Sequence, residues 1–190
     1  VTLYDQKVLH VKSCYCWRQP SRFGVYDPSS KPDFNAMRVI GGSLKGRRLS
    51  VIKPKGNMTS LRPTTDRIKE SLFNILSGGK FDIKMDKARI LDIFAGSGAL
   101  GVEAISRGAK SCTFIEKNKA CIRLLEKNLK ICNIENQTII KAFDATELPL
   151  NLEQPYDLVF VDPPYRMSLG EAAVRSALAS NWISDNALIV

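Results

Sequence analysis

Two short stretches hold residue types that can do chemistry together. The first is Asp92-Ile-Phe94-Ala95-Gly96-Ser97-Gly98-Ala-Leu-Gly101, an apolar strand running into a glycine turn and then a helix. Glycines there let the backbone approach a ligand closely, and the helix N-terminus behind them offers free N–H groups and positive potential. A nucleotide-like cofactor is the natural occupant. The second is Asp162-Pro163-Pro164-Tyr165, directly after the apolar run Leu158 to Val161. A carboxylate and the Pro163 carbonyl can accept both hydrogens of an exocyclic amine, two prolines hold that geometry, and Tyr165 can stack on a planar base. A simple turn would also tolerate two prolines.

The glycines match a dinucleotide fingerprint, and Glu116 follows at the distance expected of a ribose-binding carboxylate. A nicotinamide-dependent oxidoreductase therefore stays open on that motif alone. Asp92, four residues before Gly96, argues the other way: a carboxylate facing the pocket repels a pyrophosphate and welcomes a sulfonium or ammonium.

These residues need elements to hold them. Strands are expected at 90–94, 111–116, 138–142, 157–161 and from 187, with helices after the glycine turn, at 117–132 and near 171–179. Such alternation predicts an α/β fold, a doubly wound and mostly parallel sheet that binds ligands at the C-terminal ends of its strands. On the 117–132 helix, Ile122, Leu125, Leu129 and Cys132 form the expected apolar stripe. Before the sheet, 37–54 predicts a short hairpin with Gly46 near its turn. A further helix is capped by Thr64, Thr65 or Asp66, carries Ile68, Leu72, Ile75 and Leu76 inward, and ends at Gly78-Gly79.

The 190 residues read as an atypical extension (1–36), a basic hairpin and helix (37–80) and a cofactor-binding domain (81–190). The last strand is expected to have further strands after it, which suggests truncation at Val190. The formal charge is +9, and from Met37 to Ser60 six basic residues (Arg38, Lys45, Arg47, Arg48, Lys53, Lys55) stand with no acidic one. Such a run attracts a polyanion, unless it is merely a solvated face. No apolar run reaches the ~18 residues of a membrane span, and no signal peptide is visible, so a cytoplasmic protein is expected. Cys112, Cys121 and Cys132 fall on apolar faces as small core residues. Cys14-x-Cys16 lacks a second pair and His10 lacks a partner, so no metal is expected.

With Asp162-Pro-Pro-Tyr165, the Asp92-x-Phe94-Ala95-Gly96-Ser97-Gly98 segment resembles the class I S-adenosylmethionine-dependent amino-methyltransferases. Three further segments narrow it: Met37-Arg-Val-Ile-Gly-Gly-x-x-x-Gly46, Arg62-Pro-Thr-x-Asp66-Arg67 and Leu72-Phe-Asn-Ile-Leu76. Together they resemble the bacterial 16S rRNA guanine-N2 methyltransferases that modify guanine 966, from Met37 to Val190. That resemblance implies S-adenosylmethionine as cofactor. Asp92, Phe94, Ala95, Gly96, Ser97 and Gly98 would hold its methionine end, Glu116 and Lys117 its ribose side, and Asp144 and Ala145 its adenine. Thr65 and Arg67 would close the pocket. Asp162, Pro163, Pro164 and Tyr165 would hold the target amine for direct transfer, with the methyl in line within about 3–3.5 Å. Arg62 would join the six basic residues in gripping RNA phosphates. The implied partner is 16S rRNA, a small subunit or an assembly intermediate, met by a monomer. Two other classes remain: an adenine-N6 methyltransferase of DNA or RNA, and an RNA-binding module with an inactive pocket.

Overall fold

The computed structural model describes residues 37–51, 66–79, 81, 83–164 and 167–190. The expectations placed on 1–36, His10, Cys14, Cys16, Lys53, Lys55, Arg62, Thr64, Thr65 and Tyr165 lie outside them. The chain begins with a two-stranded antiparallel hairpin, β1 (Met37–Arg38) and β2 (Arg48–Leu49), then α1 (Asp66–Ser77). β3 (Arg89–Ile93), α2 (Ala99–Ser106), β4 (Ser111–Ile115), α3 (Lys119–Cys132) and β5 (Thr138–Lys141) follow. β6 (Tyr156–Val161), α4 (Met167–Ala179) and β7 (Ile183–Ile189) complete the order.

The second sheet has five parallel strands in the order β5-β4-β3-β6-β7. The chain leaves β3 outward through β4 and β5, then returns to β6 on the other side of β3. The topological switch point therefore lies between β3 and β6, where open α/β sheets bind ligands.

Each strand feeds two cores by its alternation. Ile90, Cys112, Phe114, Leu158, Phe160 and Leu188 pack under α1, α2, α3 and the hairpin. Leu91, Ile93, Ile115, Val159 and Ile189 pack under Ala173 and Ala177 of α4, with Tyr156 stacked on Trp182 at 5.9 Å. The hairpin and α1 share the first core with α2 and α3 through Met37, Val39, Leu49, Leu72, Phe73 and Leu76. Burying each large side chain there contributes about 1.5–3 kcal/mol.

Several expectations shift. On α1 the inward stripe is Lys69, Leu72, Phe73 and Leu76, whereas Ile68 and Ile75 are 41% and 40% exposed. Positions 69, 72, 73 and 76 share one face at 100° per residue, and Lys69 is admitted because its ammonium donates to the Arg38 carbonyl. α3 starts at Lys119 because the Asn118 side chain accepts from the N–H groups of Ala120 (2.8 Å) and Cys121 (3.3 Å). Its stripe takes Cys121 and Asn128 besides Leu125, Leu129 and Cys132, and Ile122 is only half-buried. α4 begins at Met167 and β7 at Ile183, both earlier than expected. The hairpin strands are shorter than expected, because Ile40 and Gly41 turn to donate to α2 instead of to a strand. Cys112, Cys121 and Cys132 are buried as expected.

Candidate active site

Strand register brings the chemistry to one edge. Ile93 is paired with Ile115 of β4 and with Val161 of β6, so Phe94, Glu116 and Asp162 leave the sheet side by side. Phe94 turns the chain with a φ of 61°, sparsely populated for a non-glycine residue. The Ala95 N–H still reaches the Ile115 carbonyl at 3.1 Å, and the Gly98 N–H closes the turn on the Ala95 carbonyl at 2.7 Å.

Gly96 and Gly98 both take positive φ, 54° and 77°, but face different surroundings. A β-carbon on Gly96 would meet nothing nearer than the Phe94 carbonyl at 3.8 Å, leaving room for a ligand. One on Gly98 would strike Leu125 at 2.3 Å, and one on Gly101 the Phe114 ring at 2.4 Å. Gly98 and Gly101 thus let the loop and α2 sit tight against the core, and Gly96 presents the open backbone.

The carboxylates divide by partner. Asp92 is buried and accepts the Gly101 N–H at 2.9 Å. Burial, chiefly, pushes its carboxyl up to about 8, with the charges of Asp162 and Glu116 adding to the rise and the Gly101 bond opposing it. Glu116 accepts from Gly96 (3.0 Å) and Asn118 (2.8 Å), bracing the glycine loop against the end of β4. Asp144 accepts from Lys117 at 2.7 Å and from the Thr146 N–H and hydroxyl. The Lys117 bond first, then Thr146, hold it down at about 2, and the same pairing raises Lys117. Ala145 is buried in the second core.

The charges of Glu116 and Asp162, near enough to Asp92 to raise it, suit a cationic ligand group and oppose a pyrophosphate. With the open backbone at Gly96, that donor set fits the sulfonium and ammonium of S-adenosylmethionine. Among the described residues, no group of three or more His, Cys, Asp or Glu is placed to hold a metal ion. None of the described helices is long and apolar enough to cross a membrane.

After β6, Asp162 and Pro164 are exposed and Pro163 is half-buried. A β-carbon on Gly170 would lie 3.2 Å from the Pro163 ring, so α4 props the Asp162-Pro-Pro loop at close range. Arg67 is exposed on the first turn of α1, and among the described residues no bond ties it to the glycine loop. Of the basic candidates, Arg38 pairs with Asp66 at 2.8 Å, Arg47 donates to the Ile131 carbonyl of α3, and Lys45 and Arg48 are exposed.

Sequence reasoning missed Asn128. Its fully buried side chain bonds both Ser50 backbone groups, at 2.8 and 3.2 Å, and donates to the Ser97 carbonyl at 2.9 Å. One amide thus ties the chain after the hairpin to the glycine loop. A polar residue on the apolar stripe between Leu125 and Leu129 was the available signal.

A family model described as "Conserved hypothetical protein 95" matches residues 37–190. The chain belongs to this family. It is 39% identical over 168 residues to Ribosomal RNA small subunit methyltransferase D of Haemophilus influenzae, covering 87% of this chain and 81% of that one. It is 41% identical over 153 residues to the protein of that name in Escherichia coli strain K12, covering 80% and 72%. Among solved structures, Escherichia coli yhhF is 37% identical with a TM-score of 0.63, covering 81% of this chain and 78% of that one. For this family member, the five-stranded parallel sheet agrees with that likeness.

Proposed function

We propose that the chain transfers a methyl group from S-adenosylmethionine to the N2 amine of a guanine in small-subunit ribosomal RNA. The observation that carries this reading is the register: the glycine loop, Glu116 and Asp162-Pro-Pro leave three adjacent strands at one edge, beside the switch point. The relatives' printed name supports the substrate class.

When bound, the cofactor supplies an electrophilic methyl on sulfur. The backbone from Phe94 to Gly98, with Asp92 behind it, holds its methionine end. Glu116 and Lys117 take the ribose side, Asp144 and Ala145 the adenine, and Thr65 and Arg67 close over it. The aryl amine is a weak nucleophile because its lone pair is delocalised into the ring. Asp162 and the Pro163 carbonyl accept its two hydrogens, which favours a more tetrahedral nitrogen and offsets the positive charge developing there. Pro164 keeps that turn rigid and Tyr165 stacks on the base. The base must leave its stack or already be unpaired to reach these groups. Arg38, Lys45, Arg47, Arg48, Lys53, Lys55 and Arg62 grip the surrounding phosphates.

The test incubates the protein with methyl-labelled S-adenosylmethionine and hypomodified small subunits or 16S transcript, then identifies the labelled nucleoside. The expected product is N2-methylguanosine, and Asp162→Ala lowers its rate about a hundredfold with S-adenosylhomocysteine binding retained. Label on adenine N6 moves the reading to that class. Tight NADH binding without S-adenosylhomocysteine binding overturns it altogether.

A further inference from the structure

The exposed side of α3 carries charge that none of the roles above uses. Arg123, Lys127 and Lys130 are exposed and fall at i, i+4 and i+7, so they share one face over about 10 Å of helix. With Glu126 and the half-buried Ile131 they line an open groove of about 560 Å³. Arg47 from the hairpin donates to the carbonyl of Ile131, whose residue lines this groove, and exposed Arg48 follows it in sequence.

Some of the basic side chains elsewhere have acidic partners. Arg175 pairs with Glu171 on α4, and Arg89 and Lys141 share Glu153 below the second core. Among the described residues, no ion pair engages Arg123, Lys127 or Lys130. Unpaired like charges at helical spacing repel one another, so the row is poised for a polyanion.

We propose that Arg123, Lys127 and Lys130 of α3 form a phosphate-binding ridge that continues the basic hairpin and carries the substrate RNA beyond it. This rests on the RNA-methylating reading and adds a second stretch of contact to it. The apolar stripe of α3, Cys121, Leu125, Leu129 and Cys132, is buried in the protein, so the helix has no apolar face to insert into a membrane. A phosphate chain needs only the outward cations, and the bond from Arg47 to the Ile131 carbonyl joins the hairpin to the same helix. Glu126 is the one acidic side chain lining the groove and opposes binding there.

The experiment measures binding of unmodified in-vitro transcribed 16S rRNA to the full chain between 50 and 300 mM salt. In the triple variant Arg123→Gln/Lys127→Gln/Lys130→Gln the slope of log affinity against log salt is expected to fall by about 2. Affinity near 100 mM salt falls at least tenfold, with S-adenosylhomocysteine binding and the thermal midpoint unchanged. Glu126→Gln is expected to tighten binding severalfold. If wild-type protein binds the RNA and the triple variant keeps the same slope and affinity, the ridge is a solvated helix face and only this inference falls. If wild-type protein binds neither this transcript nor hypomodified small subunits, the methyltransferase reading falls with it.

Discussion

The two faces of the large sheet are built on different principles. The face under α1, α2 and α3 buries charged side chains, Lys69 and Glu103, among its apolar residues. Glu103 of α2 is wholly buried, accepts the N–H groups of Ile40 and Gly41 at 2.8 Å each, and pairs with Arg107 at 2.8 Å. Arg107 also stands 4.8 Å over the Phe73 ring of α1. Lys69, Asn128 and Ser106 add further bonds to the hairpin and the segment after it. On the opposite face, under α4, the buried polar groups are neutral: the Tyr156 hydroxyl bonds Thr113 at 2.7 Å, the Trp182 indole N–H donates to the Pro149 carbonyl at 2.8 Å and Asn151 donates to the Asn181 carbonyl at 3.0 Å. Directional bonds allow one position of the basic segment against the glycine loop.

The largest expected effect concerns Asp92, whose folded-state carboxyl stands near 8 against an ordinary 3.8. The native state keeps a proton that the unfolded chain has lost, so stability falls as pH rises between about 4 and 8, on the order of 1 kcal/mol per pH unit at most. Asp92→Asn keeps an acceptor for Gly101 and removes that slope. Urea midpoints at pH 5, 6, 7 and 8 check it, and parallel profiles for the two proteins would contradict the burial argument. Next, Glu103→Ala strands two backbone donors and the half-buried Arg107, at a cost of about 3 kcal/mol in urea unfolding. On the other face, Tyr156→Phe removes one neutral hydrogen bond and costs about 1 kcal/mol. Equal losses at Glu103 and Tyr156 would erase the distinction between the faces.

Much of this was legible beforehand. The buried strand Leu158 to Val161 announced itself by an unbroken apolar run, and the glycine turn by its spacing. The α1 face was misread because Ile68 and Ile75 look like core residues and Lys69 does not. A lysine becomes a core residue only when a carbonyl from a distant segment, here Arg38, waits for its ammonium. Among the glycines, letters alone could not separate Gly96, open to a ligand, from Gly98, needed against Leu125. That contact spans the loop and α3, and nothing local encodes it.

By itself the sequence determined the order of strands and helices, the residues at each strand's exit and the basic character of the hairpin. These follow from periodicity, turn chemistry and charge, which act over a few neighbouring residues. The tertiary structure alone decided which carboxylate is buried and which finds a cation, so that burial drives Asp92 up and Lys117 holds Asp144 down. It also decided that Asn128 and Glu103 join segments more than sixty residues apart in the chain. Burial and long-range pairing depend on how the sheet brings distant residues together, and local sequence carries no record of that distance.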